Sequence, residues 1–287
     1  MVGFTRAAVV LRCALLVAST LLVGCTVDRA ASASAPSGPA VSILQLNLCD
    51  SGLAPCYTAG RAVVMAATLI RERRPDIVTV DEVCRADVSA LRTAMSATFG
   101  DRRVAAAFRP AMDRRTGGPY LCRNGDQYGI GVLTAIPTSS QSSARALHQT
   151  ISGVYPTQDG NDPEERVWVC IDAAAMYTAC ATHLASTAVT IAYAQCRYFL
   201  RSAIPILPTR TDHAPVILAG DLNLLGRGPL GVQSCLLPGY QRVGDGALQH
   251  VITSPGTAVL SSAHIDMNGT TDHPGLLVHV GLPRSPR

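Results

Sequence analysis

Seven polar residues stand at the ends of apolar runs and are of types that carry chemistry. Asn47 ends Ser42-Ile-Leu-Gln-Leu-Asn, Glu82 ends Ile77-Val-Thr-Val-Asp-Glu, and His183 ends Thr178-Ala-Cys-Ala-Thr-His. Asp221 and Asn223 follow Val216-Ile-Leu-Ala-Gly, while Asp272 and His273 precede the run Leu276–Val280. Carboxylates and amides offer the hard oxygen atoms that magnesium prefers. Histidines transfer protons near neutral pH. Any one of these residues alone reads as a turn former or a satisfied structural group. Their recurrence at strand ends reads as a site, because a sheet fixes side chains there that the loops leave open.

The pattern predicts the elements that must position them. Val41–Asn47 alternates and reads as a strand. Gly60–Arg73 has apolar residues at helical spacing and stops at Pro75. Asp76–Val80 and Val104–Phe108 read as strands, with a helix over Asp87–Phe99 between them. Arg109–Gln127 reads as a polar loop, Tyr128–Thr134 as a strand, and the stretch on to Glu165 as irregular. Val167–Ile171 and Tyr177–His183 follow as strands joined by a tight connection. A helix is expected over Ala188–Ile204. Val216–Ala219, His250–Ser254 and Leu276–Val280 complete the strands. Helices and strands alternate early and strands dominate late, which points to a layered α/β fold in one domain, residues 41–287.

Composition narrows the function. Apolar residues make up 48% of the 287 and charged residues 15%, enough for a large core. The chain has no lysine. That excludes P-loop kinases, Schiff-base enzymes and Ser-x-x-Lys acyltransferases, and no Gly-x-Ser-x-Gly elbow supports a serine hydrolase. The formal charge is +4, and loss of Arg6 and Arg12 leaves about +2, too little to argue for nucleic acid by itself.

Arg6 and Arg12 precede the apolar stretch Cys13–Gly24, the plan of a secretory signal over residues 1–24. Leu22-Val23-Gly24-Cys25 resembles the lipobox of bacterial lipoproteins, in which the cysteine is lipidated. Residues 25–40 are rich in Ala, Ser, Pro and Gly and suit a flexible tether. The expectation is an exported protein held on the outer face of the membrane by lipid alone, or secreted. Eight cysteines then remain: Cys49, Cys56, Cys84, Cys122, Cys170, Cys180, Cys196 and Cys235. An even set in an exported chain reads as disulfides. Cys170 and Cys180 flank a hairpin, and Cys49 and Cys56 could close a short loop; the other pairings stay open.

Taken in order, Leu46-Asn47, Asp81-Glu82, Thr182-His183-Leu184, Gly220-Asp221-Leu222-Asn223 and Thr271-Asp272-His273 resemble the motifs of the endonuclease/exonuclease/phosphatase superfamily. Tyr128-Gly-Ile-Gly-Val-Leu-Thr fits its central strand, and the likeness runs from Val41 to Val280. The resemblance implies a four-layer sandwich of two β-sheets flanked by helices. It implies a divalent-metal-dependent phosphoesterase using Mg2+, with Mn2+ or Ca2+ as substitutes, acting as a monomer on a phosphodiester, with nucleic acid as the leading substrate. A sphingomyelinase-like or other phospholipid phosphodiesterase or phosphatase, and a catalytically silent binding lipoprotein, are the alternatives.

By the same resemblance Asn47 and Glu82 belong to the metal, with Asp272 as a further ligand. Asn223 holds the phosphate, Asp221 activates water or handles the leaving group, His183 donates to a phosphate or leaving-group oxygen, and His273 contacts the phosphate or acts as base. The family places an Asp behind the last histidine; here that strand reads Leu248-Gln249-His250-Val251, so Gln249 takes its place, with Asp266 as a substitute carboxylate. Glu165-Arg166 precedes a strand that lies near the phosphate in the family, which makes Arg166 a candidate substrate contact. The arginines between Arg102 and Arg123 read either as an anion-facing loop or as a solvated surface.

Overall fold

The computed structural model describes residues 38–137, 149–173, 176–207 and 214–284. The expected signal segment, Cys25 and all but the end of the tether lie outside them. Among the described residues no helix is long and apolar enough to cross a membrane.

Among the described residues, twelve strands form two six-stranded sheets. The first contains β1 (Ala40–Asn47), β2 (Ile77–Cys84), β3 (Arg102–Pro110), β4 (Tyr128–Pro137), β11 (Ala258–Ile265) and β12 (Gly275–Gly281). Their order is β11-β12-β1-β2-β4-β3. The second contains β5 (Gln149–Val154), β6 (Val167–Asp172), β7 (Thr178–Thr182), β8 (Val216–Asp221), β9 (Gln241–Gly244) and β10 (Gln249–Thr253), in the order β5-β6-β7-β8-β10-β9. In each sheet one pair is parallel, β1 with β2 and β7 with β8. A parallel pair needs a crossover, and α1 (Arg61–Arg73) and α3 (Val189–Tyr198) lie in those two crossovers.

Alternation along the strands builds the layers. Ile43, Ile77, Val132, Val169, Ile171, Ile217, Val251 and Val278 form one core in which residues of both sheets meet. The intervening residues Leu44, Leu46, Val78 and Val80 pack with Leu69 and Ile70 of α1 and with Leu91 and Met95 of α2 (Arg85–Thr98). Leu218 and Ile252 pack with Ala192, Cys196 and Phe199 on the outside of the second sheet. The result is the expected helix–sheet–sheet–helix sandwich.

Three strands depart from the sequence reading. β5 lies in the stretch expected to be irregular, and β9 and β11 were not expected. All three are edge strands, and their exposed faces carry no apolar alternation to read. The expected helix to Ile204 changes winding: α3 ends at Tyr198, a π-turn spans Phe199–Ala203 and a 3-10 turn Ile204–Ile206. Pro205 has no N–H to continue the α-helical ladder.

Four disulfides join Cys49–Cys56, Cys84–Cys122, Cys170–Cys180 and Cys196–Cys235. The first and third are the pairs the sequence indicated, and Cys170 and Cys180 are direct partners across β6 and β7. The other two close separations of 38 and 39 residues, where cross-links constrain the unfolded chain most.

Candidate active site

The two sheets bring their strand ends together. Asn47 ends β1 and Asp221 ends β8 in the opposite sheet, and Asn47 Nδ2 donates to Asp221 Oδ2 at 3.3 Å. Gly220 precedes Asp221 because a Cβ there would sit 1.8 Å from the Thr182 carbonyl oxygen. His183 follows β7 directly. A cavity of about 440 Å3 opens here, with Glu82, His183, Asp221, Asn223 and His273 in its wall.

Glu82 is placed by a bulge. The β2–β4 register steps from Val80↔Gly131 to Val83↔Gly129, so β2 carries one extra residue. Glu82 takes φ +55°, a left-handed conformation that non-glycine residues rarely adopt. Asp81 is fully buried, while Glu82 faces the cavity. Glu82 Oε1 accepts from Asn47 Nδ2 at 2.9 Å. Asn47 therefore enters as a donor between two carboxylates, with its own Oδ1 accepting from the Cys49 amide, rather than as the oxygen ligand expected from sequence.

Asp221 is almost fully buried and well braced. Its Oδ1 accepts from the Asn223 amide at 2.9 Å and its Oδ2 from Gln249 Nε2 at 3.2 Å. Asn223, at φ +49°, is held by Nδ2 donating to the Leu184 carbonyl at 2.9 Å. Beneath them lies a buried polar relay. Gln45 Nε2 donates to Asp81 Oδ2 at 2.6 Å and to Gln249 Oε1 at 2.8 Å, and Asp81 Oδ2 accepts from the Asp221 amide at 2.7 Å. Burial, then the Asp221 charge, pushes Asp81 well above the ordinary carboxylate range. Burial likewise raises Asp221 and Glu82; the nearby His273 partly offsets it in both, and Asp272 adds to it in Glu82.

The histidines differ. His273 is partly exposed, with Nε2 3.6 Å from Asp221 Oδ2 and 3.7 Å from Asp272 Oδ1. His183 is buried, with Nε2 4.0 Å from Glu82 Oε1 and Nδ1 3.9 Å from Glu164 Oε1. Burial, reinforced by the charges of Arg166 and His273, drives His183 well below the usual imidazole range. It is a neutral ring with one N–H to give.

Two sequence expectations are corrected by these positions, and the partners of a third residue become visible. Gln249 does not stand behind His273 and is absent from the cavity wall; it is fully buried and supports Asp221. Asp266 accepts from the Asn268 amide at 2.8 Å in a turn, and the carboxylate nearest His273 is Asp221. Arg166 lines the cavity but is already engaged. Its Nε and Nη2 bind Asp162 Oδ2 at 3.0 and 2.6 Å, Nη2 also reaches Ser186 Oγ at 3.2 Å, and Nη1 lies 3.2 Å from Glu164 Oε1. It neutralises buried carboxylates, while Nη1 makes no hydrogen bond.

The sequence pattern of the endonuclease/exonuclease/phosphatase family matches residues 65–273. The chain belongs to this family. Solved structures agree on the fold. An endonuclease/exonuclease/phosphatase from Beutenbergia cavernae DSM 12333 superposes with a TM-score of 0.61 at 17% identity, over 86% of this chain and 72% of that one. The human Nocturnin catalytic domain gives 0.59 at 14%, over 84% and 93%. D. rerio TDP2 complexed with a single-strand DNA product gives 0.54 at 15%, over 84% and 98%. No curated protein matches the chain.

Within this endonuclease/exonuclease/phosphatase site, sequence reasoning missed Glu164, Asp162, Tyr128 and Gln45. Burial raises Glu164 to about 7 against the lowering pull of Arg166, and its Oε2 accepts from the Tyr128 hydroxyl at 3.3 Å. The signal was available in part. Asp162, Glu164 and Arg166 stand at alternate positions and all three line the cavity, while Glu165, the residue noted beside Arg166, does not.

Proposed function

We propose that the protein is an exported, divalent-metal-dependent phosphodiesterase that cleaves nucleic acid. Membership of a phosphoesterase family supports the reaction class. The observation that carries the reading is an acidic cluster without a permanent cation: Asp221 and Asp272 both repel Glu82, and His273 is the basic group beside Asp221 and Asp272. Carboxylates gathered in this way fit a hard divalent ion that keeps several of its waters. Glu82 and Asp272 would hold it. The bound ion supplies positive charge to a phosphate oxygen.

The chain's own residues do the rest. Asp221, fixed by Asn223, Gln249 and Asn47, accepts a proton from the attacking water. The water oxygen bonds to phosphorus as the ester P–O bond breaks, and the departing alkoxide takes a proton from solvent. Neutral His183 donates to a phosphate oxygen, and Asn223 uses its remaining N–H in the same way. His273 stands against Asp221 and shares the proton it gains. Four disulfides support an oxidising compartment and hence export. The single-strand DNA product held by D. rerio TDP2 supports nucleic acid as the substrate class.

The test is hydrolysis of bis(p-nitrophenyl) phosphate, plasmid DNA and sphingomyelin by the full chain made under oxidising conditions, with Mg2+ and then with excess EDTA. DNA and small-diester cleavage, stopped by EDTA and by Glu82→Gln, is expected. Cleavage of sphingomyelin alone overturns the substrate class. Folded protein that cleaves nothing across several divalent metals overturns the enzyme reading.

A further inference from the structure

A second cavity, also of about 440 Å3, is lined at two places by residues two positions along the chain from the first, and has the opposite charge. The two share strand ends. Leu248 lines the first and His250 the second; Asn223 lines the first and Leu225 the second. Positions two residues apart in the chain lie at most about 7 Å from one another.

The second cavity is built around Arg242. Its guanidinium is positioned on both sides. Nη1 bonds His250 Nδ1 at 3.3 Å, and His250 Nε2 donates to the Leu224 carbonyl at 2.8 Å. That hydrogen bond fixes the tautomer with Nδ1 as an acceptor, and burial lowers His250 so that it stays neutral. A Cβ at Gly226 would lie 2.8 Å from both Nη atoms, and one at Gly244 would lie 2.3 Å from His250 Nδ1 and 3.0 Å from Arg242 Nη1. The two glycines make the seat.

Arg242 Nε is buried without a hydrogen-bond partner. Arg227, exposed on the loop after β8, lines the same cavity and repels it. Among the described residues neither arginine forms an ion pair. The nearby carboxylate Asp245 is turned to the amides of Ala247 and Gln249 at 2.7 and 3.2 Å. Two uncompensated guanidiniums, one held rigidly, match a phosphate group.

We propose that Arg227 and Arg242 hold the phosphate next to the one being cleaved, so that the preferred substrate is a strand with consecutive phosphodiesters. This deepens the phosphodiesterase reading and rests on it. The acidic cavity takes the scissile phosphate with its cation; the basic cavity takes its neighbour without one.

The test compares Arg227→Ala and Arg227→Ala/Arg242→Gln with the wild-type full chain on a ten-nucleotide single-stranded oligodeoxynucleotide and on bis(p-nitrophenyl) phosphate. The ratio of kcat/KM for the oligonucleotide to that for the small diester should fall about tenfold in the single variant and further in the double. Equal losses on both substrates overturn the proposal. In EDTA, binding of the fluorescent oligonucleotide is followed by anisotropy across salt. The slope of log K against log salt should become shallower by about one for each arginine removed. An unchanged slope, or a single-phosphate dinucleotide binding as tightly as the ten-mer, also overturns it. Wild type that binds with the expected slope but cleaves nothing would sink the enzyme reading and leave the phosphate site standing.

Discussion

The two walls of the first cavity handle acidic groups in opposite ways. On one, Asp162 and Glu164 share the guanidinium of Arg166, which is 3% exposed. Burial alone would lower Arg166, yet the two carboxylates and Tyr128 outweigh it and raise it. On the other, Glu82 and Asp221, with the exposed Asp272 nearby, have only the histidines His183 and His273 beside them. A compensated cluster is closed electrostatically and can serve as scaffold. An uncompensated one stores repulsion that a mobile cation relieves. The same residue type is therefore structural on one wall and poised for ligand on the other, and the difference is the presence of a permanent positive charge.

Neutralising one charged residue on each wall should have different consequences. Glu82→Gln keeps the shape of the acidic wall and removes its charge toward the cation. We expect kcat/KM to fall about 1000-fold with unchanged circular dichroism. A fall of less than tenfold would mean that Glu82 holds no metal. Arg166→Met leaves Asp162 and Glu164 buried without their cation, and should cost about 3–5 kcal/mol of stability in urea denaturation. If Arg166 were instead a phosphate clamp, activity would fall while the urea midpoint stayed put.

Divalent cation should act on the acidic wall alone. Mg2+ at about 100 times its Kd should add about 2.7 kcal/mol of stability to the wild type. Glu82→Gln should lose most of that gain, and Glu164→Gln should retain it. Calorimetric melting with and without the ion checks both. Equal gains in the two variants would place the ion elsewhere.

The residues of the acidic wall were legible because they end strands whose apolar alternation is clear. Asn47, Glu82, His183 and Asp221 each close such a run, and in the structure all four meet at one edge. The compensated wall was harder. Glu164 and Asp162 lie in a segment with no apolar period, and their position depends on contacts such as Arg114 with the Asp162 carbonyl at 3.1 Å. Gln249 was misplaced for a related reason. Its strand could be read, but which way a buried amide turns is set by Gln45 from the other sheet. Cys84–Cys122 and Cys196–Cys235 likewise depend on tertiary proximity, whereas Cys170–Cys180 follows from one hairpin. The missed strands β5, β9 and β11 are edges, where burial imposes the least pattern.

The smallest expected effect separates the walls by pH. Glu164 ionises at about 7 in the folded protein against an ordinary 4.5. Between those values the folded state holds a proton that the unfolded chain has released. Stability owed to Glu164 is therefore present below about 4.5 and falls as pH rises through about 7. Glu164→Gln removes this dependence while keeping the side chain's size. With EDTA present, the urea midpoint should fall less between pH 5 and pH 8 in the variant than in the wild type. Glu82 and Asp221 are raised as well and keep their share of the slope in both proteins, so the difference between the two curves isolates Glu164. Parallel curves would show that Arg166 already holds Glu164 ionised across this range, and that the compensated wall is closed at every working pH.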